Sequence, residues 1–214
     1  MQPDWAAENL QVIRTLMERS AIYRRALAPM TLLAGGLGTV AAVAGQALRL
    51  DAPRPFILYW LGVAVVTACG AAFLVRRQAL QAGEAFWSPP ARRVARAALP
   101  AATAAAIFTL GVLLAGWRWP GGPGADDNTA RLMMPAVWIM LYGLALSAAG
   151  FFMPRGIQWL GWIFIAGGGG AWVAAGSGLG FAAAGHWLMG LHFGLLHLAY
   201  GCYLLFTEKP GHAL

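Results

Sequence analysis

The sequence His186-Trp-Leu-Met-Gly-Leu-His192-Phe-Gly-Leu-Leu-His197-Leu-Ala-Tyr-Gly-Cys-Tyr-Leu-Leu-Phe206 decides the fold of this chain. It contains no Asp, Glu, Lys or Arg. At about 1.5 Å per residue, a helix of this length crosses a bilayer core of about 30 Å. The segment also carries three of the four histidines in the chain. It therefore predicts a transmembrane helix whose polar side chains need an explanation.

The rest of the chain repeats this apolar pattern. Of its 214 residues, 59% are hydrophobic and only 11% are charged, whereas soluble domains carry about 25% charged residues. Apolar segments long enough to span a membrane lie at about 27–48, 56–75, 97–117, 132–152, 157–175 and 186–206. These segments predict an all-α integral membrane protein, with a bundle of six transmembrane helices forming one domain over residues 27–206.

Residues 1–26 are too polar to span the membrane. Within 8–25, Leu10, Ile13 and other apolar residues fall on one side of a helical wheel, while Arg14 and Glu18 fall on the other. This pattern predicts an amphipathic helix in the headgroup plane at the cytoplasmic face. The alternative is a docking helix for a soluble partner.

The basic residues predict the orientation of the bundle. With the N-terminus inside, eleven basic residues face the cytoplasm and four face the other side, which is the asymmetry that the positive-inside rule describes. Six spans then place the short tail 207–214 in the cytoplasm as well. The four on the opposite side are Arg49, Arg54, Arg118 and Arg131.

The connection 76–96 is the longest polar stretch between two spans. Two interpretations are open. The arginines fix the membrane topology and the aromatic residues anchor the chain at the headgroup level, or the stretch is a docking surface for a partner subunit. In the second, prolines stiffen the chain and lower the cost of ordering it. The candidate interaction residues are Phe86, Trp87, Pro89, Pro90, Arg92 and Arg93.

The histidines are the candidates for chemistry inside the membrane. His186 and His197 are eleven residues apart, so in a regular helix their directions around the axis differ by only about 20°. His192 points about 140° away from His197. His186 is expected at the outer interface. His192 and His197 are the candidate cofactor ligands, for a haem, another tetrapyrrole pigment or a quinone. The purely structural interpretation is that the imidazoles hydrogen-bond across helices and hold the bundle together.

Other functional classes are disfavoured. No predicted span carries an ionised side chain near its middle, which counts against an ion-coupled transporter. No phosphate-binding loop and no Ser-His-Asp set occurs, so no catalytic residue is predicted. The net charge of +7 comes from arginines at the ends of the spans, and we expect no nucleic-acid binding. Cys69 and Cys202 are expected to be small buried thiols, and no metal site is predicted.

Four segments resemble a family of uncharacterised polytopic bacterial inner-membrane proteins. They are IRTLMERSAIYRRALAP (13–29), FWSPP (86–90), FFMPRG (151–156) and HFGLLHLAYG (192–201). The resemblance implies a multi-pass protein of the bacterial inner membrane with no established activity.

The sequence thus favours a non-enzymatic membrane subunit or interaction protein of an inner-membrane assembly. The expected partners are the lipid bilayer and other membrane or cytoplasmic subunits, with a homo-oligomer also possible. The first alternative is a haem-, pigment- or quinone-associated redox or light-harvesting subunit using His192 or His197. The second is a small transporter or channel for an uncharged or lipophilic solute.

Overall fold

The computed structural model describes residues 27–81, 83, 87–115, 127–176 and 184–207. The predicted interfacial helix at 8–25 lies outside the described residues, as do nearly all of the predicted cytoplasmic tail and most of the segment that joins the third and fourth spans.

The described part of the chain is helical and contains no strand. Its helices are α1 (Leu27–Ala47), α2 (Pro53–Gln81), α3 (Pro89–Ala115), α4 (Asp127–Ala149) and α5 (Arg155–Gly176). A 3₁₀ turn, Gly150–Phe152, follows α4. The chain then continues as α6 (Ala184–Met189), a π-helical segment (Gly190–Leu196) and α7 (His197–Thr207). These last three elements form one continuous helix, called the last helix below.

Among the described residues, five helices are long and apolar enough to cross a membrane: Leu27–Ala47, Pro53–Gln81, Ala91–Leu114, Leu132–Phe152 and Gly185–Thr207. The predicted span at 157–175 is helical, as α5, but is not among these five. Its glycines and tryptophans contribute little hydropathy, so a sixth span stays a prediction. Cys69 and Cys202 are exposed, contrary to the expectation of buried thiols.

The α2–α3 connection is shorter than the sequence predicts, because both helices continue past the ends of the apolar segments. Gly83, at φ 64°, follows the end of α2, and its N–H donates to the Leu80 carbonyl over 3.2 Å. Ser88 precedes α3, with Pro89 in the first turn, where the missing N–H of a proline costs nothing. The sequence Ser-Pro-Pro is therefore the start of a helix, and the flanking arginines lie on helix ends.

Two antiparallel helix pairs form the core by close backbone approach. In the first pair, α1 meets the last helix through Gly35, Gly38 and Gly194. A Cβ on Gly38 would lie 2.5 Å from the carbonyl oxygen of Phe193, and one on Gly194 would lie 2.6 Å from Thr39 Oγ1. Small residues allow this approach, which brings the two backbones into van der Waals contact.

The second pair is α4 with α5. A Cβ on Gly143 would lie 2.7 Å from the carbonyl oxygen of Gly161, and one on Gly168 would lie 2.7 Å from that of Ala136. α3 joins this pair through a hydrogen bond of 2.8 Å from Trp138 Nε1 to Thr109 Oγ1. The glycines of α4 and α5 thus bring the two backbones together.

The two pairs differ from α2 and α3 in burial. In the most apolar stretches of α1, α4 and the last helix, 39%, 44% and 44% of the stretch is buried. In those of α2 and α3, only 11% and 6% is buried. The core cluster between the helices includes Phe56, Trp60, Ile139, Phe164 and Met189. The three histidines of the last helix lie beside this cluster.

Candidate functional site

The π-helical segment of the last helix changes the direction of its histidines. In a regular helix, residues five apart diverge by about 140°. A turn closed by i→i+5 bonding instead places them nearly above one another, and such turns often occur at functional sites. The ring centroids of His192 and His197 both lie 5.4 Å from that of Phe164. The expectation that these two imidazoles point away from each other is wrong, because the helix is locally wider than assumed.

His197 uses both of its ring nitrogens. Nδ1 lies 3.1 Å from the carbonyl oxygen of His192, and Nε2 lies 2.9 Å from the hydroxyl of Tyr142. A carbonyl can only accept, so Nδ1 carries the proton and Nε2 accepts from the Tyr142 O–H. The bond to Tyr142 joins the last helix to α4, and it leaves no free nitrogen on this imidazole.

His192 packs against α5. Its Nδ1 donates to the Leu188 carbonyl over 2.9 Å, so Nε2 carries the lone pair. That nitrogen faces Gly167, where an added Cβ would run into it. Of the glycine run 167–170, Gly167 and Gly168 are therefore required by close contacts, while a Cβ on Gly170 would meet nothing within 4 Å.

His186 is buried, at 1% exposure, and lies near Asp51 in the loop that joins α1 and α2. Its expected position at the outer interface of the membrane stays a prediction. Trp60 Nε1 donates to its Nδ1 over 3.1 Å. The rings of Phe56 and Tyr59 lie 4.9 Å and 6.0 Å from it between centroids. Gly45 makes room on the other side, since a Cβ there would lie 2.5 Å from Nδ1. The imidazole thus joins the last helix to α1 and α2.

These contacts bear on the predicted cofactor ligands. Axial ligation needs an imidazole lone pair that faces an open position. The lone pair of His197 accepts from Tyr142, and that of His192 faces the backbone of α5. A cofactor bound by His192 or His197 stays a prediction. Among the described residues, no group of three His, Cys, Asp or Glu side chains could hold a metal ion.

The candidate docking residues lie where α3 begins. Trp87 is 57% exposed, and the Arg92 and Arg93 side chains are also exposed. Pro89 lies in the first turn of α3. Phe86 and the side chain of Pro90 lie outside the described residues. A docking role for this set stays a prediction.

The partners of the histidines are Trp60, Tyr142 and Gly167, and none of them is predicted from the sequence. Trp60 is 126 residues from His186, and Tyr142 is 55 residues from His197. No local motif links such distant positions. The one available signal was the glycine run of α5 opposite a histidine-bearing helix, which predicted close approach without a partner.

The described part of the chain is thus a helical protein with five helices apolar enough to cross a membrane and an interior of hydrogen-bonded histidines and aromatic rings. Comparison of the chain with protein-family models, curated proteins and solved structures finds no match in any of the three. The resemblance to bacterial inner-membrane proteins stays a prediction.

Proposed function

We propose that this chain is a non-enzymatic integral membrane subunit of a bacterial inner-membrane assembly, built as a rigid bundle that other subunits bind. The observation that carries the proposal is the use of the buried imidazoles. Those of His186 and His197 hydrogen-bond to side chains of α2 and α4, and that of His192 packs on the backbone of α5. Such bonds hold helices together in a membrane.

The distribution of charge agrees with a scaffold. In the described helices, the charged side chains lie near helix ends, such as Arg76 and Arg77 on α2 and Arg96 on α3. A bundle without an ionised group in the middle of its described spans has no obvious relay for ions or protons. The interior side chains of the bundle therefore serve to pack its helices together.

The surface for partners lies at one end of α2 and α3. Both helices are too long for the hydrocarbon core alone, since 29 residues in α2 extend about 43 Å. The projecting ends carry exposed arginines and, between the two helices, the exposed ring of Trp87. Large aromatic side chains and arginines dominate protein interfaces, so we place the docking surface here.

A pull-down from solubilised native membranes tests this surface. We expect a co-purifying subunit with the tagged wild-type chain and its loss with Trp87→Ala. The matched control is Trp187→Ala, since Trp187 is 52% exposed on a different helix. Equal retention of the partner by both variants, or no partner with the wild type, contradicts the docking proposal.

An absorbance spectrum of the purified protein tests the scaffold against the redox or pigment alternative. We expect the spectrum to show only the absorption band of the protein in the near ultraviolet. A visible band that scales with protein and is lost in His192→Ala or His197→Ala would overturn the scaffold proposal in favour of a tetrapyrrole subunit.

Reporter fusions test the proposed orientation. We expect a periplasmic signal after Gly124 and a cytoplasmic signal after Leu214, because of the excess of basic residues on the N-terminal side. A cytoplasmic signal at Gly124 would contradict the six-span topology with both termini inside.

A further inference from the structure

α3 carries a cluster of arginines at its start. Arg92, Arg93 and Arg96 lie on its first two turns, and all three side chains are exposed. With about 3.6 residues per turn, they fall within an arc of about 100° around the helix. Neither α2 nor α3 contains an Asp or Glu, so no acid on these two helices offsets the positive charge. The cluster therefore suits an anionic partner.

The depth of the cluster matches that of lipid phosphates. Between 97 and 115, α3 has no charged side chain and extends about 28 Å along its axis. The hydrocarbon core of a bilayer is about 30 Å thick. When the apolar part of α3 fills this core, Arg96 lies at its edge. Arg93 and Arg92 then lie about 4.5 Å and 6 Å further out, in the headgroup layer.

A stripe of exposed apolar side chains continues the same face of α3 into the core. It is reached from Arg92 and Arg96 in steps of three or four residues, and residues at this spacing share one face of a helix. The stripe lies about 120° around the helix from Thr109, which accepts a hydrogen bond from α4. Its side chains are between 55% and 77% exposed and are those of Leu99, Ile107, Leu110 and Leu114.

A cationic end and an apolar length on one face match the two parts of a phospholipid. Guanidinium groups form charge-assisted hydrogen bonds with phosphate oxygens, and the stripe offers contact to an acyl chain. A free phosphate would use only the arginines, and an acidic protein surface would leave the stripe uncovered. The uncompensated charge favours a headgroup with a net negative charge over a zwitterionic one.

We propose that Arg92, Arg93 and Arg96 bind the headgroup of an anionic phospholipid, with an acyl chain lying along the stripe from Leu99 to Leu114. The inference rests on the proposed location of the bundle in a membrane. It needs no partner subunit at Trp87, and it involves neither the histidines nor the core of the bundle.

Titration of the full chain in dodecyl maltoside with dioleoylphosphatidylglycerol tests the proposal, with bound lipid counted by native mass spectrometry. Dioleoylphosphatidylcholine is the lipid control, and glycerophosphoglycerol, which lacks acyl chains, is the headgroup control. The test variant combines Arg92→Gln and Arg96→Gln. The matched control combines Arg49→Gln and Arg54→Gln, which removes the same charge from exposed side chains where α1 joins α2.

We expect the wild type and the matched control to bind phosphatidylglycerol more tightly than phosphatidylcholine. The test variant should bind phosphatidylglycerol about thirtyfold more weakly, which is the effect of two basic residues beside an anionic lipid. Arg92→Lys with Arg96→Lys keeps the charge and should restore most of the binding. Glycerophosphoglycerol should not compete, because it makes no contact with the stripe.

Three results would overturn the proposal. Equal affinity for the two lipids, or equal weakening in the matched control, would leave the arginines to a protein partner. Competition by glycerophosphoglycerol at the concentration of the lipid would show that a phosphate binds without the stripe. Failure of the wild type to incorporate into liposomes would refute the membrane location itself and this inference with it, whereas the first two results leave that location intact.

Discussion

Replacing Gly38 by Ala tests whether α1 and the last helix are in backbone contact. The added Cβ would lie 2.5 Å from the carbonyl oxygen of Phe193 and 2.7 Å from its carbonyl carbon, where ordinary contact begins at 3.4 Å. Neither atom belongs to a side chain that could rotate away. The two helices must therefore separate by about 1 Å, a gap that forfeits a quarter to a half of each van der Waals contact across it.

The expected cost follows from comparison with Gly36→Ala on the same helix. A Cβ on Gly36 would meet nothing within 4 Å. Both substitutions raise helix propensity equally, by about 0.5–1 kcal/mol, so this effect cancels between them. What remains is the overpacking of Gly38, for which we expect about 1–3 kcal/mol. For a chain of this size, that corresponds to a melting temperature lower by about 3–10 °C.

Thermal unfolding of both variants, followed by circular dichroism in the same detergent, measures this difference. Gly36→Ala should unfold at or slightly above the temperature of the wild type, and Gly38→Ala clearly below it. If the two variants unfold at the same temperature, the backbones are not in contact at Gly38 and the helix pairing described above is refuted.

Three further predictions use the same thermal assay. Gly167→Ala should destabilise the protein by about 1–3 kcal/mol relative to Gly170→Ala, because only the former meets an imidazole; equal stabilities would contradict the contact. Tyr142→Phe should cost about 0.5–2 kcal/mol, since it removes the donor to a buried nitrogen; an unchanged melting temperature would show that this bond contributes nothing. Arg49→Gly should stabilise by up to about 1 kcal/mol, because Arg49 has φ 50° at the end of α1; a loss of stability would mean that its side chain makes a contact worth more than the backbone strain.

The sequence predicted the helices that depend on local composition. The apolar segments correspond to helices, which is the structure that satisfies the backbone polar groups of an apolar segment within the segment itself. Helix ends were less well predicted. α2 continues to Gln81 and α3 begins at Pro89, since arginines and prolines that end an apolar segment do not necessarily end a helix.

The roles of the histidines were decided by tertiary structure. Composition identified His186, His192 and His197 as the polar groups of the last helix, but their directions depend on a π-helical segment that no local pattern signals. Their partners come from other helices, such as Trp60 and Tyr142, at positions that only packing brings together. A sequence specifies which helices form because propensity and hydropathy are local. Which donor meets which acceptor depends on the distances and angles between helices. Close contacts at glycines determine those distances, and they form only when the bundle assembles.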